Sequence, residues 1–338
     1  MIKDNKKVVY WLATGCLLIF IMVIIGGITR LTHSGLSISN YKLISGTIPP
    51  LNETEWKEAF ELYKQYPEYQ KLNYHFNLED FKDIYFWEWL HRFIGRLIGL
   101  VFFIPFLYFI ITKQLSKSTI KKSLILLGLG AFQGFLGWYM VKSGLIDRPD
   151  VSHYRLAAHL TTAFITFAYT LWVILDIIFP NKKVINIRFR NLLRITLAIV
   201  LLQIIYGAFV AGLDAGFIHN HWPMMSEGKF MHETVYKEQN PLYKNFIEGK
   251  SGVQFVHRIL AYIVVFIIFI VWNKGRKMNL TRYQSRGINL LLLMVGFQFL
   301  LGVLTLILQV PVWLGIAHQI GAFMLLSIIT FTLHRFSK

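Results

Sequence analysis

Apolar residues run along this chain in long blocks, and polar residues collect between them. Eight blocks stand out: Val8–Ile28, Trp87–Thr112, Ser123–Val141, Tyr154–Phe179, Ile195–Leu213, Val253–Trp272, Gly287–Leu308 and Val312–Leu333. Each is roughly twenty residues long, which is what an α-helix needs to cross a hydrocarbon core. Strands of a membrane β-barrel would be half as long and would alternate apolar with polar residues. The pattern predicts an all-α polytopic membrane protein with eight transmembrane helices.

Two connections are large, 31–85 and 214–251, and both fall on the same side. Within the first, "LNETEWKEAFELYKQY" predicts a short surface helix, with Asn52 as its cap and Glu55 placed as in a capping box. Trp56, Phe60 and Tyr63 recur at helical spacing and form one apolar stripe. Such a helix lies on the membrane or on the bundle, or offers a face to a partner.

The blocks repeat. Residues 86–93 carry "FWEWLHRF" and residues 253–258 carry "VQFVHR"; "FQGFLG" from Phe132 matches "FQFLLG" from Phe297. "RLAAHLTTAF" around His159 matches "LGIAHQIGAF" around His318, and "GGITRLTHSGL" matches "YGAFVAGLDAGF". The spacing is 166 residues for His91 and His257, 165 for Gln133 and Gln298, and 159 for His159 and His318. This predicts a duplicated four-helix unit: an N-terminal half, 1–185, and a C-terminal half, 186–338. Units of four helices share one orientation and are related by an axis along the membrane normal.

Charge sets the orientation. Lys3, Lys6 and Lys7, the loops 113–122, 180–194 and 273–286, and the tail with Arg335 and Lys338 hold nineteen basic residues. The two short loops of the other side hold Lys142, Arg148 and Arg155. The positive-inside rule puts both termini in the cytoplasm and both large loops outside. The same asymmetry accounts for most of the +17 net charge, so no nucleic-acid partner is needed to explain it. Composition agrees, with 55% hydrophobic and 16% charged residues among 338 and a mean hydropathy of +0.49. The first block is too long for a cleaved signal, and seven residues before it are too few for a transit peptide, so the expected site is a bacterial plasma (inner) membrane. Cys16 is the single cysteine and lies in the first block, which leaves the outer loops without a disulfide or thiolate metal site.

His91, His159, His257 and His318 each fall a few residues into a helix entered from outside. At about 1.5 Å per residue they share one depth, in the outer third of the membrane. A lone His in an apolar helix is ordinarily a packed, hydrogen-bonded residue. Two per half at matched depth suit the axial positions of a heme iron, and with few carboxylates nearby they suit zinc poorly. The repeat therefore predicts two heme-sized pockets, toward the periplasmic side. Arg92 and Arg258 follow their histidines and either snorkel outward or meet heme propionates. Glu88 shares a helical face with His91, whereas the matching position holds Gln254. A carboxylate in this setting marks a functional site, or else a salt bridge to Arg92 or Arg30. The asymmetry points to proton chemistry in one pocket and a resident redox cofactor in the other.

These residues carry a resemblance over essentially the whole chain. "GGITRLTHSGLS" at 26–37, "GTIPPLNETEWKEAFELYKQYPEYQKLN" at 46–73, "FWEWLHRFIGRLIGL" at 86–100, "FQGFLGWYMVKSGL" at 132–145, "VSHYRLAAHL" at 151–160 and "AGLDAGFIHNHWPMM" at 211–225 resemble the heme A synthase family. The similarity is to its subgroup with a long first outer loop. The resemblance implies oxidation of one methyl group of heme O to a formyl group by successive hydroxylations. It implies heme b on His257 and His318, with heme O as substrate beside His91 and His159 and Glu88 as the catalytic carboxylate. It also implies contact with heme O synthase, cytochrome oxidase assembly factors and a membrane electron donor, and leaves room for a homo-oligomer. The outer-loop cysteine pair of some relatives is missing here. His221 departs from the usual loop; His219 and His221 form an H-x-H that fits a solvated or heme-edge role better than a two-ligand metal site.

Two other readings compete. A di-heme b-type cytochrome taking electrons from quinol explains the histidines and the duplication but not the Glu88/Gln254 difference. A repeat-built transporter requires broken midplane helices, and Pro105 is the main interruption.

Overall fold

The computed structural model describes residues 5–38, 47–144, 151–180 and 186–337. Lys3, Arg148, Lys182, Lys183 and Lys338 of the charge comparison lie outside the described residues. The helices are α1 (Asn5–Leu31), α2 (Glu53–Tyr63), α3 (Leu78–Ile111), α4 (Lys117–Gly144), α5 (His153–Ile178), α6 (Ile187–Gly212), α7 (Lys250–Gly275), α8 (Arg282–Ile307) and α9 (Val312–Arg335). All but α2 are long and apolar enough to cross a membrane, and each covers one of the eight predicted blocks to within one residue at its end. Among the described residues there is no β-strand, only an isolated bridge between Ser226 and Lys229.

Helix α3 departs most from expectation. It begins at Leu78, well before the apolar block at Trp87, so the first large connection is shorter than 31–85. Asn77 caps it through the backbone N–H groups of Glu79 and Asp80, and Asp80 returns a hydrogen bond to the cap. The extra turns are polar on one side and bury Phe81 and Ile84 on the other, against Phe60 and Tyr63 of α2. Hydropathy sees only the membrane part of such a helix; the capping box and the contact with α2 carry it outward. The stripe on α2 therefore docks on α3. Asn52 accepts from the Glu55 N–H at 2.9 Å, and the Glu55 carboxylate accepts from Leu51 N–H at 2.8 Å, a variant of the expected box.

Packing follows the repeat. Helix α1 lies on α3 and α5 as α6 lies on α7 and α9, and α4 lies on α5 as α8 lies on α9. Helix α5 meets α6, and α9 meets α1, across the join, where α5 and α9 also touch. Polar ties cross the join at both ends of the bundle. At one end Arg30 donates to the Ala211 carbonyl at 2.6 Å and pairs with Asp214 at 2.9 Å. At the other end Asp176 meets Lys122 at 2.6 Å and the buried His334 at 3.0 Å. Lipid tails are as apolar as leucine, so such bonds and close packing, rather than burial alone, fix helix positions.

Candidate functional site

The four histidines point into the bundle, and each ring rests on a glycine of a neighbouring helix. A Cβ added at Gly26 of α1 would stand 3.2 Å from His91 Nε2, and one at Gly137 of α4 would stand 3.5 Å from His159 Cε1. The second half repeats this: Gly207 of α6 faces His257 Cε1 at 3.2 Å, and Gly302 of α8 faces His318 Cε1 at 2.9 Å. His91 and His159 lie within Coulombic range of each other, and so do His257 and His318.

Glutamines orient the second histidine of each half. Gln133 Nε2 donates to the His159 carbonyl at 2.9 Å; Gln298 Nε2 donates to the His318 carbonyl at 2.9 Å and lies 3.1 Å from His318 Nδ1. Gln203 Nε2 lies 3.4 Å from His257 Nε2. His159 Nδ1 and His257 Nδ1 are buried with no hydrogen-bond partner among the described residues. Paired imidazoles with unsatisfied nitrogens, glycines that leave room beside each ring, and no third ligand fit the iron of a porphyrin. Among the described residues no three His, Cys, Asp or Glu side chains are grouped to hold a bare metal ion.

Glu88 is buried at 3% exposure. Its Oε1 meets Arg92 at 2.5 Å, and its Oε2 accepts from Ser37 Oγ at 2.7 Å and Ile38 N–H at 2.8 Å. The surroundings of this carboxylate are thus polar, not the apolar pocket that its position in the sequence suggests. Of the two expected ion-pair partners it takes Arg92, because Arg30 is committed to Asp214. Gln254, the counterpart, donates to the carbonyls of Ala215 at 2.9 Å and of Ile218. In both halves this residue pins the chain leaving α1 or α6, but only the first half does so with a charge.

Arg92 and Arg258 do not snorkel. Arg92 donates to Glu88 and, at 2.9 Å, to the Ile38 carbonyl. Arg258 donates to the carbonyls of His219, His221 (2.9 Å) and Met224 (3.4 Å) and to Gln254 Oε1 (3.1 Å). Each clamps the outer loop over the mouth of its own half.

A family model described as "Cytochrome oxidase assembly protein" matches residues 9–330. The chain belongs to that family. A protein of Flavobacterium psychrophilum named "Heme A synthase" is 62% identical over 338 residues, covering 99% of this chain and 100% of the relative. One of Flavobacterium johnsoniae with the same name is 62% identical over 341 residues, covering 100% of both. Another, of Nitrosospira multiformis, is 44% identical over 328 residues, covering 96% of this chain and 91% of the relative.

The H-x-H residues part company. The His219 ring stacks 4.6 Å from His232 and its Nε2 lies 2.9 Å from Ser251 Oγ, while the His221 side chain stays outside the cluster. The glycines under the imidazoles were missed in the sequence, although Gly137 and Gly302 stand in the matched motifs. Gly26 and Gly207 are likewise 181 residues apart, as are His33 and Asp214, which both turn the chain with positive φ (51° and 53°). Aligning the two helix exits on that spacing would have found them.

Proposed function

We propose that this chain is a multi-pass membrane enzyme that oxidises one methyl group of heme O to the formyl group of heme A. The observation that carries the reading is the pair of matched histidine sites, with a buried carboxylate one helical turn before His91 and a buried amide one turn before His257. The full-length relatives named heme A synthase support the same activity.

The N-terminal half, 1–185, takes heme O as substrate between His91 and His159. The C-terminal half, 186–338, holds heme b on His257 and His318, with Gln298 fixing the His318 ring. A resident heme supplies one-electron transfer to the reaction, and the protein orients the groups and moves protons. Glu88 Oε2, hydrogen-bonded to Ser37, is the group placed to take or return a proton while the methyl carbon passes through two hydroxylations to a geminal diol, which loses water; each hydroxylation adds an oxygen atom from water or dioxygen and passes two electrons from that carbon to an oxidant from outside the chain. Arg92 and Arg258 hold the loop segments that close each pocket, and their guanidinium groups suit the propionates of the hemes at these mouths. Both termini lie in the cytoplasm of a bacterium with the pockets toward the periplasm. Heme O synthase, cytochrome oxidase assembly factors and a membrane electron donor are the expected partners.

The test is co-expression with heme O synthase, followed by extraction and identification of the hemes by mass. Heme A, or a hydroxylated heme O, is expected from the wild type. Unmodified heme b in every preparation would favour the quinol-linked cytochrome instead.

A further inference from the structure

The two halves differ beneath their histidines. In the second half the α7–α8 seam is filled: the Tyr262 and Phe299 rings meet at 5.5 Å, Trp222 adds a third ring 6.2 Å from Phe299, and Val295 is buried at 3% exposure. Val264, Leu291 and Met294 extend this packing into the main apolar core, with Val265 against it. The repeat spacings put Gly134 opposite Phe299, Gly130 opposite Val295, Gly99 opposite Val265 and Arg96 opposite Tyr262. Gly99, Gly130 and Gly134 are exposed, and among the described residues a Cβ on any of them meets nothing within 4 Å. Helices α3 and α4 also touch along a much shorter seam than α7 and α8. The buried cluster of the first half lies toward its cytoplasmic end, around Trp11, Phe106, Phe109 and Ile174.

The gap is continuous with the histidine site. Gly130 and Gly134 share a face of α4 with Gln133 and Gly137, which both touch His159, the ring with an unpartnered buried Nδ1. Gly99 stands eight residues past His91, and Gly130 stands seven residues before Gly137. Both lie about 10–12 Å deeper than the histidines, near the middle of the membrane. Resting on the reading above, the substrate differs from protoheme by a long isoprenoid tail, a flexible apolar chain that needs a path out of the pocket.

We propose that the seam between α3 and α4 is a slot, open to the bilayer, that receives the isoprenoid tail of the substrate heme. Its counterpart between α7 and α8 is filled by Phe299 and Tyr262 because the resident heme has no such tail. The glycines remove side chains where the tail passes, and the slot makes the first half selective for the tailed heme.

The test compares heme O with protoheme on purified full-length protein in nanodiscs. Gly134→Phe installs the residue of the filled half, and Gly99→Val does the same on α3. Each is expected to weaken heme O binding to the first half by at least about tenfold, less than the worth of two buried methylenes. Protoheme affinity should change by under about threefold, and the low-spin spectrum of the second half should stay as in the wild type. If the larger variants lose the second heme, Gly134→Cys serves: heme O, but not protoheme, should shield its thiol from an alkyl maleimide. Unchanged heme O affinity, equal loss of both hemes with the second half intact, or equal shielding by both would overturn the slot. A wild type that binds no heme O would instead sink the functional reading itself.

Discussion

Glu88 and Arg92 meet at 2.5 Å one helical turn apart, and Gln254 and Arg258 repeat the contact at 3.1 Å. The same clamp is thus built twice, once with a full ion pair and once with a neutral amide. The charged copy stands in the half assigned to substrate, one turn before His91.

Replacing Glu88 by Gln keeps the shape of the clamp and removes its charge. Heme A output should stop or stall at a hydroxylated product, while the low-spin heme of the second half keeps its spectrum. Near-normal output would remove Glu88 from the reaction. Glu88→Ala goes further: it takes the counter-charge from Arg92, whose side chain is 11% exposed and keeps its bond to the Ile38 carbonyl, and should cost about 3–5 kcal/mol in a thermal melt.

His257→Ala or His318→Ala should abolish the bound low-spin heme. His91→Ala and His159→Ala should leave it in place and lower retention of heme O. Pigment spectra and extracted heme separate these outcomes, and loss of one spectrum from all four variants would contradict a two-site arrangement.

The glycines under the imidazoles differ in tightness. Gly302→Ala puts a methyl 2.9 Å from His318 Cε1 and must turn that ring, whereas Gly137→Ala at 3.5 Å makes an ordinary contact with His159. The first should shift the absorption maximum or midpoint potential of the second-half heme; the second should leave substrate binding intact. The reverse order would mean that the rings are held from elsewhere.

Arg30 and Asp214 join the C-terminal ends of α1 and α6 and are both partly exposed, at 22% and 37%. Asp214→Asn should therefore cost only about 0.2–1 kcal/mol, with the loss shrinking in high salt. A salt-independent effect several times larger would show a structural role beyond the ion pair.

His219 lies in the outer loop, beyond the spans. Burial first, then the nearby His232 and the charge of Arg258, hold its imidazole below the usual 6.5, with Glu238 opposing. The folded loop thus favours the neutral ring. Its contribution to stability is whole above pH 6.5 and is lost as pH falls from there through the lower folded value. Protection of amides 219–236 against hydrogen exchange, taken relative to the intrinsic rate at each pH, should fall on acidification, and His219→Gln should flatten that response. Protection that rises at low pH would reverse the sign and refute it.

The eight apolar spans were legible because membrane burial demands long apolar runs, and the four histidines stood out because matched motifs recur at fixed offsets along the chain. The polar N-terminal turns of α3 escaped notice, since the contact of Phe81 with Phe60 and Tyr63 joins segments that hydropathy treats as loop. Sequence offered Glu88 two cationic partners and Arg92 two fates; the choice depended on where Asp214, Ser37 and Ile38 come to lie. The open α3–α4 seam also escaped, although Gly99 and Gly134 were in plain view, because a glycine in a sequence does not say whether a neighbour fills the space beside it. Periodicity and spacing report what each helix presents, and folding decides which groups from distant segments share the low-dielectric interior, where one hydrogen bond or one missing side chain changes the chemistry.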